Sequence, residues 1–234
     1  MSSFIDSGFS NLSTRVNLDK SKEGFVVKVY SHLLMAILAV VALEVYLFES
    51  GIAETVAQWM FNIPWLAILG AFMLVAWLAR KVAYKAESLA LQYVGLGGYI
   101  IAEALILIPL LYQTDRIAPG AIENAAIFTA VGFTALTAIV IITKKDFSFL
   151  RSILMWGGFI ALGLILIAII FGFNLGIWFD VAMIAIGGGS VLYDTSNIMR
   201  RYSKHKYVSA SLSLFASIAL IFWYALRMFR RFGR

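Results

Sequence analysis

Long apolar runs alternate with short charged stretches along this chain. A membrane-crossing helix needs ~17–25 mostly apolar residues. Seven runs meet that length: 29–48, 63–79, 89–112, 122–143, 150–171, 177–201 and 207–226. The stretch 53–61 is too short to cross. Trp59 within it and Trp65 just after it suit the headgroup level, so it reads as an interfacial segment. Only Gly172 to Gly176 separates the fifth and sixth runs, which predicts a tight antiparallel pair. The pattern therefore predicts an all-α integral membrane protein with seven transmembrane helices. A polar N-terminal segment (1–28) precedes the membrane domain (29–226), and a short basic tail (227–234) follows it.

Composition agrees with the pattern. The chain is 62% hydrophobic and 14% charged, against ~25% charged residues in a soluble domain. A formal charge of +6 would suit nucleic acid, but the cations sit at the ends of apolar runs, where they orient helices. The partner they imply is the lipid bilayer, not nucleic acid. The absence of cysteine excludes disulfides and thiol chemistry. The leader mixes Asp6, Arg15, Asp19, Lys20, Lys22 and Glu23, which is not the layout of a cleavable signal peptide.

The loops alternate in charge. The leader, Arg80–Lys85, Lys144–Arg151 and Arg200–Lys206 are basic; Glu49–Glu54, Asp115–Glu123 and Gly172–Gly176 are acidic or short. The positive-inside rule then places the N-terminus in the cytoplasm. Seven crossings put Arg227, Arg230, Arg231 and Arg234 on the opposite side, against the same rule. Either the last helix crosses against its own flanking charge, or an earlier segment fails to cross, or the last one re-enters. Seven crossings is the reading adopted.

The run 177–201 organises the rest. It carries Asp180 and Asp194, with Gly187, Gly188, Gly189 and Ser190 between them. Fourteen residues place the two acids on a shared helix face, roughly 21 Å apart. Asp194 lies only ~9 Å above Arg200. An acid at such depth normally faces a bundle interior or a wet cavity and marks a functional site. Asp194 is thus a candidate cation or proton site; the plainer alternative is a structural carboxylate paired with an arginine or a hydroxyl. Asp180 is an outer gate or first cation contact, or else an interfacial acid satisfied by water or by the helix dipole. Glu103 is a further candidate acid, roughly 15 Å down its helix. Glu44, one turn from a helix end, is placed to snorkel or face the loop and reads as structural. Arg80 is either an anchor at its helix end or a latch reaching Asp194. The three glycines and Ser190 read as a packing seam or flexible joint. Neither a metalloprotease spacing nor a phosphate-binding loop is present. No second catalytic group stands opposite Asp194, so the reading is not an enzyme and needs no cofactor.

Two stretches carry a family likeness: 143–150, TKKDFSFL, and 192–198, LYDTSNI. A weaker match covers 213–227. Together they make the chain resemble the Bax inhibitor family of transmembrane proteins, and its bacterial YccA-like branch in particular. The resemblance implies a seven-helix fold whose last helix is central and surrounded by the other six, in a bacterial inner membrane. It also implies either a pH-sensitive calcium leak with a role in stress response, or modulation of a membrane-bound ATP-dependent protease without transport. The family's calcium-leak members carry a pair of aspartates with an arginine latch. Asp194 matches the first, Arg80 matches the arginine region, and Ser217 stands where the second acid falls. No Asp or Glu follows Asp194. A carboxylate facing a hydroxyl lacks the coupled titration of a diacid, so only weak, transient Ca²⁺ contact is expected at Asp194.

Overall fold

The structure is a computed structural model describing residues 2–85, 88–203 and 205–233, with side chains from Lys22 onward. The leader charges Asp6, Arg15, Asp19 and Lys20, the loop cation Lys204 and the tail cation Arg234 lie outside the described side chains. The elements are α1 (Ser2–Glu49), α2 (Ile52–Phe61), α3 (Trp65–Lys85), α4 (Leu89–Ile117), α5 (Ala121–Thr143), α6 (Leu150–Phe171), α7 (Gly176–Arg200) and α8 (Tyr207–Phe232). Among the described residues, seven of them are long and apolar enough to cross a membrane. The exception is α2, whose ten residues reach only about 15 Å. The helix α1 runs unbroken from Ser2 through the polar N-terminal segment.

Small residues set the closest approaches. Ala76, Ala79 and Ala83 of α3 are buried, facing α4. A Cβ on Gly95 would lie 2.6 Å from the Ala79 carbonyl oxygen and 2.8 Å from the Ala83 Cβ. Only glycine fits there. In the α6–α7 turn, Gly172 and Gly176 have φ of 71° and 73°, a left-handed region that glycine enters at little cost.

Two helices form the interior. α8 packs against α1, α3, α4, α5 and α7, burying Leu212, Leu214, Phe215 and Leu226. α4 is buried to a similar extent, from Gln92 to Thr114. The expectation that all six other helices surround the last one is corrected in one respect. α6 stands off α8 and packs on α7, with slight contact to α3. Only Ala161 and Ala168 of α6 are buried; its Trp156, Phe159 and Ile170 are exposed. An apolar helix gains little by leaving lipid, because lipid tails are as apolar as its neighbours. The gap left between α6 and α8 gives room for a cavity.

Candidate functional site

The helix α7 is positioned by its glycines, and each touches a different neighbour. A Cβ on Gly187 would meet Ile221 of α8 at 2.6 Å; one on Gly188, Leu136 of α5 at 3.2 Å; one on Gly189, Leu154 of α6 at 3.1 Å. Three successive positions on a helix point in three directions about 100° apart. The run therefore lets three helices close on α7 at one level. Ser190 turns its hydroxyl back to the Ile186 carbonyl, 2.9 Å away.

One turn further on, Asp194 faces α8. Ser217 donates a hydrogen bond to its Oδ2 at 2.7 Å, and the same hydroxyl lies 3.2 Å from the Ser213 carbonyl. Asp194 is half-buried, and it lines a cavity of about 1000 Å³. The cavity is lined by α3, α4, α6, α7 and α8, and by Met60 and Phe61 of α2. Its polar wall includes Arg80, Tyr99, Glu103, Ser190, Ser213 and Ser217. It extends along α8 from Ser213 to Arg230, a rise of about 26 Å. The rest of the lining is largely aliphatic and aromatic, including Trp65 stacked on Trp223 with ring centroids 6.0 Å apart.

Arg80 is not closed on Asp194. Its guanidinium lies 5.4 Å from the Tyr99 ring centroid. No ion pair within 4 Å joins it to Glu103 or Asp194 among the described residues. The hydroxyl of Ser217 occupies the near side of Asp194 instead.

Asp180 lies elsewhere. It does not line the cavity and is 0% exposed, held by two arginines of α8: Arg227 at 3.0 Å and Arg231 at 3.2 Å. The distances are those of ion pairs, though neither carboxylate oxygen receives a well-aligned hydrogen bond. Asp180 thus joins α7 to α8 as a buried clamp. The same contact accounts for the charge of the tail. Arg230 donates to Gln113 Oε1 at 2.8 Å and Arg231 to Asn174 Oδ1 at 3.0 Å, so these cations are engaged within the protein.

Glu44 also differs from its sequence reading. It is 9% exposed, and neither of its carboxyl oxygens has a hydrogen-bond partner. The signal in the sequence was a lone acid within an apolar run; proximity to a helix end concealed its inward direction.

At the other end of the bundle, the short loop after α5 is pinned by side chains. The Asp146 carboxylate accepts from the Ser148 N–H at 2.9 Å. This bond, joined by the Ser148 hydroxyl, holds its pKa below the ordinary carboxylate value. The Phe147 N–H donates to Ser196 Oγ at 3.1 Å, and Arg200 donates to the Lys144 carbonyl. Thus the two stretches that carry the family likeness touch each other. Tyr202, in the α7–α8 loop, lies 3.3 Å from Ser213 Oγ; burial pushes its phenol up to about 12.

The fold and site define a helical membrane protein with seven candidate spans, in which a polar-walled cavity reaches a carboxylate on the penultimate helix. The sequence profile described as "Inhibitor of apoptosis-promoting Bax1" matches residues 22–234, and the chain belongs to this Bax inhibitor family. It is 29% identical over 218 residues to Protein LIFEGUARD 4 of Arabidopsis thaliana, covering 88% of this chain and 84% of that protein. It is 30% identical over 164 residues to the Modulator of FtsH protease YccA of Escherichia coli K12, covering 67% and 70% respectively. An uncharacterised protein of Pseudomonas aeruginosa is 33% identical over 111 residues, covering 46% of this chain and 49% of that one. The chain spans about half the length of that relative and of a Vibrio cholerae membrane protein.

Proposed function

We propose that this protein is a pH-sensitive cation leak, with calcium as a candidate ion, resident in a bacterial inner membrane and acting in stress response. The supporting observation is the position of Asp194: a carboxylate at the end of a long cavity, capped by one hydroxyl and not latched by Arg80. Hard divalent cations take oxygen ligands. Asp194, Ser190, Ser213 and Ser217 offer such oxygens, but no group of three or more metal-binding side chains occurs among the described residues. A passing ion would exchange some of its water for these oxygens and move on, as conduction requires of a weak site. No covalent chemistry and no resident cofactor are part of this reading. The N-terminus is assigned to the cytoplasm, with the basic loops.

The test is calcium flux into proteoliposomes containing the full chain. The expected result is a pH-dependent flux that D194N abolishes. Absent flux, or flux indifferent to D194N at every pH, would overturn the proposal.

The second reading is regulation of a membrane-bound ATP-dependent protease without transport. It is favoured by the name of the Escherichia coli relative. Co-purification of this chain with such a protease, lost on trimming the polar N-terminal segment (1–28), would favour it.

A further inference from the structure

The cavity reaches well past Asp194. Ser217 and Arg227 of α8 both line it and lie about 15 Å apart along the helix. That is the depth of one leaflet of a ~30 Å hydrocarbon core. Between them the lining is apolar, with Leu220 from α8, Leu69 and Phe72 from α3, Pro109 from α4 and Ile169 from α6. Toward Arg227, Trp223 of α8 stacks on Trp65 of α3. The cavity face of α8 thus reads serine, leucine, tryptophan, arginine at positions 217, 220, 223 and 227. Helix faces that meet lipid carry this order: an apolar band, an aromatic belt, then cations at the headgroups. Here it stands on a helix of the interior.

The Arg227 end is also positive. Arg227 and Arg231 share one anion, Asp180, and Arg230 lines the cavity beside them, bonded to the neutral Gln113. Among the side chains that line the cavity at this end and those bonded to them, cations outnumber acids. The hollow is open, too. Phe61 of α2 and Phe173 of the α6–α7 turn line it and are each 48% exposed. It therefore communicates with the surroundings of the bundle, which in a membrane are lipid. A cavity of about 1000 Å³ with an apolar lining and a few placed polar groups has the character of a small-molecule site.

We propose that this cavity binds one anionic phospholipid, with an acyl chain along the apolar band and the phosphate at Arg227 and Arg230. A tail gains little by leaving the bilayer for an apolar hollow, so charge decides which lipid is held. The guanidinium fork suits phosphate oxygens. The bound tail ends near Ser217 and fills the space between the arginines and Asp194. The inference goes beyond the conduction reading, because lipid is held whether or not ions pass.

The experiment reconstitutes the full chain in vesicles of equal phosphatidylcholine and phosphatidylglycerol, extracts it in mild detergent and counts bound lipid by native mass spectrometry. One phosphatidylglycerol per chain is expected, in preference to phosphatidylcholine. A cation near an anionic lipid contributes about 1 kcal/mol, so Arg230→Gln should cut that preference about fivefold. Leu220→Trp fills the apolar band and should abolish retention. Should that variant not fold, Ile169→Trp fills the same space from α6. A native chain that retains no lipid, or holds phosphatidylcholine as readily, would overturn the proposal. So would a preference unchanged by Arg230→Gln, or retention unchanged by the folded tryptophan variant, which would mark the lipid as a surface adduct. Because the readout is bound lipid and not flux, a chain that conducts nothing can still show the site.

Discussion

At the scale of single residues, the hydroxyl on Asp194 matters most. Ser217 supplies the hydrogen bond that the carboxylate receives from α8. Ser217→Ala removes a donor without adding volume. Polar contacts between membrane helices average ~0.6 kcal/mol, and bonds to charged groups reach about 1.5–3. A loss of about 1 kcal/mol in unfolding free energy is expected, measured in detergent. Ser148 gives a second test. The Asp146 carboxyl titrates below its ordinary 3.8 because the Ser148 N–H and hydroxyl bind its charged form. The loop bond is therefore fully present above that ordinary value and is lost as pH falls through the lower folded value. The Ser148 amide resonance is expected to titrate with a midpoint below 3.8, read by NMR. A midpoint at or above 3.8 would show that the carboxylate is not bound there.

Between elements, the α7–α8 clamp makes an asymmetric prediction. Asp180 is fully buried, while the side chains of Arg227 and Arg231 are 22% and 30% exposed. Removing the acid leaves two cations that water can still reach. Removing both arginines strands a buried anion, which typically costs about 3–5 kcal/mol. Asp180→Asn should thus destabilise less than the R227Q/R231Q double variant, and combining all three changes should recover part of the loss. Thermal unfolding of the purified variants decides the order. The glycine run gives a companion test. A side chain at Gly187 meets Ile221 at 2.6 Å, so G187L forces α7 and α8 apart, at about 1–3 kcal/mol or more for overpacking. A matched change at Gly132, which has open space around it, should be far milder.

For the whole molecule, the testable quantity is topology. Crossing by all seven candidate spans would carry the two ends of this sequence to opposite faces of the membrane. The basic tail then emerges on the face that the positive-inside rule disfavours. The clamp supplies the physical reason: Arg227 and Arg231 pair with Asp180, and Arg230 bonds Gln113. Cations held by the protein are poor reporters of orientation. Cysteine accessibility mapping is expected to label a cysteine placed at position 233 from the periplasmic side and one placed at position 145 from the cytoplasm. Labelling of both from one side would overturn the seven-span reading.

The sequence by itself determined the number of candidate spans, the short segment that became α2, and the stretches of family likeness around Asp146 and Asp194. Periodic hydrophobicity and loop charge are local properties, and a bilayer makes them nearly sufficient. Which acids meet which bases was decided only by the tertiary structure. Asp180 and Asp194 share one helix and similar surroundings in sequence, yet one faces two arginines and the other a serine and a cavity. Arg80 and Glu44 were equally undetermined, because the direction in which a helix turns its polar face depends on its neighbours. That choice comes from packing, where Gly187, Gly188 and Gly189 set the distances and the open side of α6 leaves the hollow.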